Sequence, residues 1–113
     1  YTIVTFDAEP GAIKNMHDKL IDAMVVQNPY DMGYQSIRYL KALLKDDKAT
    51  IKEMYPKLGE KDGDLYDTGL KLVVPDSETP LKAEQFGEFG GKMKFLKLSE
   101  FQKWLDDLKL EGS

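Results

Sequence analysis

Short apolar runs alternate with amphipathic stretches along this chain, the pattern of an α/β protein. Residues 2–6 are apolar and β-branched with little alternation, which predicts a strand covered on both faces. Glu9-Pro10-Gly11 opens a short helix with Ala12, Ile13 and Met16 as its apolar stripe. A proline in the first turn with an acid beside it favours a helix start. His17-Asp18-Lys19 closes that helix, and residues 20–27 predict a second strand with Asp22 at an edge or facing solvent. Asn28 offers a capping oxygen, and Pro29 sits where a first turn tolerates a missing N–H. A long helix therefore runs from Pro29 to about Leu44, with Met32, Ile37, Leu40, Leu43 and Leu44 on its apolar side. The charge run 45–48 ends it, and 50–58 predict one or two further helical turns. Residues 59–69 read as a glycine-bearing loop, and Leu70 to Val74 as a third strand stopped by Pro75. Residues 76–91 look irregular. Ser99 caps a last helix whose buried stripe is Phe101, Trp104, Leu105 and Leu108.

Two polar residues stand where predicted strands end: Asp7 after the first and Gln27 after the second. In open α/β sheets, ligands bind just past the carboxyl ends of strands. The run from Thr2 to about Leu44, with its Gln27-x-Pro29-x-x-x-Gly33 junction, and the stretch Leu70 to Pro75 resemble the C-terminal part of type I periplasmic sugar-binding proteins, the ribose, galactose and xylose receptors of ABC importers. The resemblance implies part of a two-lobe, doubly wound parallel-sheet fold, about three strands with flanking helices. It implies sugar-ligand roles for Asp7 and Gln27, a hinge at Asn28 and Pro29, and, with less support from the motif, Phe6 and Tyr30 as ligand-adjacent rings. In that family the Asp18 turn is usually Asp-Gly; here Lys19 stands in place of the glycine. LacI-type transcription regulators use the same fold to sense sugars and are the alternative reading.

The implied chemistry is recognition without reaction. An ionised carboxylate accepts two vicinal sugar hydroxyls through charge-assisted bonds. An amide both donates and accepts, matching a hydroxyl. Aromatic rings complement the apolar sugar face. The expected partners are a small sugar and a membrane permease, and the expected location is periplasmic or extracellular, with a lipoprotein anchor compatible.

Composition removes other classes. Sixteen Lys and Arg against 20 Asp and Glu give a net charge of −4, which lacks the basic footprint of a nucleic-acid binder. With no cysteine and one histidine, a thiolate or zinc site has no ligand set, and no metal or other cofactor is expected. His17 suits a helix C-terminus, where a cation is favoured. Asp62, Asp64 and Asp67 around Gly63 lack the spacing and closing Glu of a calcium loop. Gly87, Gly90 and Gly91 do not sit between a strand and a helix, which excludes a phosphate cradle. No catalytic Ser/His/Asp or Cys/His arrangement is present, so an enzyme is not expected. No apolar run is long enough to span a membrane.

Carried over from the resemblance, residues 1–27 end a C-terminal lobe and residues 28–113 associate with an N-terminal lobe. Three strands cannot supply a lobe that normally has five or six, and unpaired strand edges invite association. The expectation is a C-terminal fragment that pairs with the rest of its molecule or with copies of itself.

Overall fold

A computed structural model describes residues 1–89 and 92–112, with backbone alone at 87–89. Gly90 and Gly91 fall outside what is described. The chain divides into two compact units, residues 1–28 with 69–113 and residues 29–68.

The first unit is a four-stranded mixed sheet. Its strands are β1 (Val4–Phe6), β2 (Ala23–Val26), β3 (Leu70–Val74) and β4 (Met93–Lys97), in that spatial order. The pairs β1–β2 and β3–β4 are parallel, and β2–β3 is antiparallel. Helices α1 (Pro10–His17) and α4 (Leu98–Asp107) cover one face. Ile13 and Met16 of α1 and Phe101 and Leu105 of α4 meet Met24, Val26 and Val73 of the sheet in one core. Strand alternation puts Ala23, Val25, Leu72 and Val74 on the other face, together with Val4 and Phe6. A 3-10 turn over Ala83–Phe89 packs on β4, where Phe86 stacks on Phe95 with ring centroids 6.1 Å apart. Lys71, buried on the helix-covered face, holds its Nζ 4.1 Å from the centre of the Trp104 ring, a cation–π contact that offsets its burial.

Several expectations change here. The first strand is not covered on both faces: it is an edge, with Val4 54% and Phe6 74% exposed. A fourth strand, β4, occupies residues assigned to no element. Leu70 to Val74 do not belong with the helix that precedes them; β3 pairs with β2 through Met24↔Val73 and Val25↔Leu72. Leu72, Val73 and Val74 are buried there, which is the apolar drive for the return. Asp22 lies just before β2, and its carboxylate accepts the Ile3 N–H at 2.7 Å. Ser99 is not the cap of α4 but lies in its first turn. Its N–H (3.1 Å) and hydroxyl (2.8 Å) both donate to Asp76 Oδ1, from the loop after β3, while Glu100 accepts the Lys97 N–H at 2.8 Å. Leu108 is exposed rather than part of the buried stripe.

The second unit holds α2 (Pro29–Leu44) and α3 (Lys48–Met54). The bounds of α2 are those its proline and periodicity predict, yet Ala42 is its one buried residue. Ile37, Leu40, Leu43 and Leu44 stay exposed. Arg38 joins α3 through Glu53 at 2.9 Å, which raises the guanidinium pKa above its ordinary value. Tyr39, Tyr55 and Tyr66 form an edge-to-face series with centroid spacings of 4.9 and 5.9 Å.

Asp47 caps α3, accepting from Thr50 N–H at 3.1 Å and from the Thr50 hydroxyl at 2.7 Å. These bonds, the backbone one first, hold its carboxyl below the ordinary value of 3.8. A depressed folded pKa adds stability above the unfolded value and loses it as pH falls through the folded one. Asp47→Ala is therefore expected to melt earlier than the parent at neutral pH. The gap should narrow below about pH 3.8 and close once the parent carboxylate is protonated. Thermal melts across that range check it; a gap independent of pH would assign the effect to something other than the charged cap.

Three helices end alike. Lys19, Asp46 and Lys109 all take positive φ, at 63°, 51° and 56°. After each, the next residue's N–H reaches back five positions: Leu20 to Asn15, Asp47 to Ala42, Leu110 to Leu105. These are Schellman closures, a position where glycine is usual. Lys19 thus keeps the turn geometry that glycine would give.

Candidate functional site

The parallel register Val4↔Ala23, Thr5↔Met24, Phe6↔Val25 makes β1 and β2 end within a residue of each other. Asp7 and Gln27 therefore emerge at the same edge of the sheet, and both are exposed. Asp7 has φ 64°, and its N–H donates to Val25 O at 2.8 Å, extending the ladder by one bond before the chain turns away. Asp tolerates this left-handed conformation better than most residues.

Because β3 runs antiparallel to β2, and β4 parallel to β3, the amino ends of both lie at this edge too. Gly69 enters β3 here with φ 78°, and an added Cβ would come within 2.6 Å of Lys92 O. The Leu70 N–H donates to the same carbonyl at 3.1 Å. Only glycine admits so close an approach at that conformation. The edge thus carries a carboxylate, an amide, Asn28, and the backbone around Gly69 and Lys92.

The other residues expected at the site distribute differently. Phe6 lies with Val4 on the exposed edge strand, on the sheet face opposite α1 and α4 and next to Val25. Tyr30 is in the first turn of α2, exposed, and belongs to the second unit. Asn28 and Pro29 flank the boundary at which the chain leaves the first unit. A second boundary, between Thr68 and Gly69, has no sequence signal beyond the glycine. Among the described residues, no three His, Cys, Asp or Glu side chains are placed to share a metal ion, and no helix is long and apolar enough to cross a membrane.

No family model matches the chain, and no solved structure matches it. Cytoplasmic dynein 2 heavy chain 1 of Homo sapiens is 30% identical over 107 residues. That stretch is 92% of this chain and 2% of the human protein, so the chain spans about a fiftieth of the curated relative's length. A match of that extent carries neither that protein's activity nor its partners to this chain.

Proposed function

We propose that this chain contributes one wall of a sugar-binding cleft in the solute-binding component of an ABC importer, and that it binds without reacting. The observation that supports this best is the parallel pairing of β1 and β2, which brings Asp7 and Gln27 to one sheet edge. A carboxylate there can accept two neighbouring hydroxyls, and the amide can donate to one sugar oxygen while accepting from another. Phe6 supplies an exposed ring close in sequence to the carboxylate. Asn28 and Pro29, at the boundary between the units, are the positions at which a closing motion would bend the chain. Ligand release to a membrane permease, and a periplasmic or extracellular location, belong to the same reading.

The open apolar surfaces of both units support a further part of the proposal. In this reading the exposed edge strand β1 and the exposed stripe of α2 are covered by the rest of a two-lobe receptor, which also supplies the opposite wall. Weak sugar binding by the 113-residue chain follows. In an amide-resolved NMR titration with ribose, galactose and xylose, at least one sugar is expected to shift the amides of residues 6–8 and 26–28 at millimolar concentrations. Asp7→Ala should abolish those shifts, since a hydrogen bond to a charged group contributes about 1.5–3 kcal/mol. Shifts absent from that edge for all three sugars, or unchanged in Asp7→Ala, would overturn the reading.

A further inference from the structure

We infer that the groove between α1 and the end of α4 is a docking site for a basic, leucine-bearing segment of another protein. The groove encloses about 570 Å³. Its floor is apolar: Ile13 and Leu105, both buried, with Pro10 and Leu110 at the sides. Its rim carries two carboxylates, Asp106 and Glu111. No lysine, arginine or histidine lines it, and among the described residues neither carboxylate is in an ion pair.

The backbone preforms this surface. Lys109 N–H donates to Asp106 O at 3.0 Å and Leu110 N–H to Leu105 O at 2.9 Å. That closure folds Leu110 back onto the turn that carries Leu105, the apolar contact that accompanies a Schellman end. Gly112 then lies against the start of α1, so close that an added Cβ would be 2.5 Å from Ala8 O and 3.1 Å from Pro10 Cδ. The tail is thus laid across α1, which places Glu111 beside the groove. An occupant pays little to order such a surface.

The charge selects the occupant. An apolar side chain of leucine size fills the floor, and arginines beside it reach the two carboxylates, where the guanidinium fork can pair with each oxygen. An acidic segment is repelled. The groove stands independently of the sugar reading, since it uses neither Asp7 nor Gln27.

The probes are a synthetic peptide with leucine and arginine alternating at helical spacing and its counterpart with glutamate for arginine. Titrated into the isotopically labelled chain, the arginine peptide is expected to give saturable amide shifts at Ile13, Gln102, Leu105 and Leu110. Asp106→Lys combined with Glu111→Lys should weaken it by about tenfold or more, as should high salt. Leu110→Ser, at a side chain 41% exposed, should weaken it while leaving Trp104 fluorescence unchanged. Equal binding of the glutamate peptide, shifts concentrated on α2, or an affinity unaltered in both variants would overturn the inference.

Discussion

Phe101→Ala is expected to leave the sheet unit largely unfolded at room temperature. Phe101 is fully buried, at the centre of the core that α1, α4 and the sheet share, and its ring stacks on Trp104 with centroids 5.7 Å apart. Truncating a buried Phe to Ala costs about 3–5 kcal/mol, through lost transfer energy and an unfilled cavity. The unit has roughly seventy residues, and a single core of that size supplies about 3–5 kcal/mol in all. The loss therefore matches the whole margin. Phe101→Leu, which keeps most of the volume, should cost less than about 1.5 kcal/mol and stay folded. Trp104 is the sole tryptophan and adjoins the substituted ring, so urea unfolding followed by its fluorescence reports this unit. A Phe101→Ala midpoint close to the parent's would mean that the core does not depend on α4 as described.

Gly63→Ala is expected to break the turn that closes the second unit. The glycine is buried, and its N–H donates to Glu60 O at 3.0 Å, while the Glu60 N–H donates to Lys57 O at 3.0 Å. A Cβ at Gly63 would stand 1.7 Å from that Lys57 oxygen and 2.5 Å from its carbonyl carbon. Close carbon–oxygen contacts settle near about 3.3–3.6 Å, so the backbone itself must move. Both hydrogen bonds are then lost, and Tyr66, three residues on, leaves the ring of Tyr55. Nuclear Overhauser contacts between those two rings should vanish, with a fall in near-ultraviolet tyrosine dichroism. Gly33→Ala is the control in the same unit. Nothing lies within 4 Å of its added Cβ, and removing a glycine from inside α2 should stabilise by about 0.5–1 kcal/mol. Intact Tyr55–Tyr66 contacts in Gly63→Ala would show that the turn has another conformation available.

How legible each part was in the sequence follows from the range of the interaction that forms it. Helix α2 starts at Pro29 and ends at Leu44 because its signals, a proline, a period and a charge run, are local. Strand β3 is bounded equally locally, by Gly69 and Pro75. The partner of β3 is not local information: its pairing with β2 crosses some forty residues of intervening chain. Strand β4 is hard to read because lysines 92, 94 and 97 make the run look solvated, whereas the alternation puts Met93 and Phe95 on one face with Lys94 exposed. The β-branched run of β1 has the composition of a central strand, but it stands at an edge. For the candidate site, Asp7 and Gln27 were recognisable as strand ends, and their shared edge follows from a parallel register that only tertiary pairing sets. The contribution of Gly69 and Lys92 to that edge depends on a carbonyl approach no spacing rule encodes.

Antiparallel pairing of β2 and β3 makes the intervening residues an insertion in a β-hairpin: the strands are contiguous in space, and about forty residues are spliced between them. Closing so long a loop rather than a tight four-residue one adds about 2 kcal/mol of entropy to the sheet's middle pairing. Helices within the insert shorten the effective tether and return part of that cost. Excising the insert for a short glycine linker would thus relieve the sheet of a long closure and leave the strand order intact.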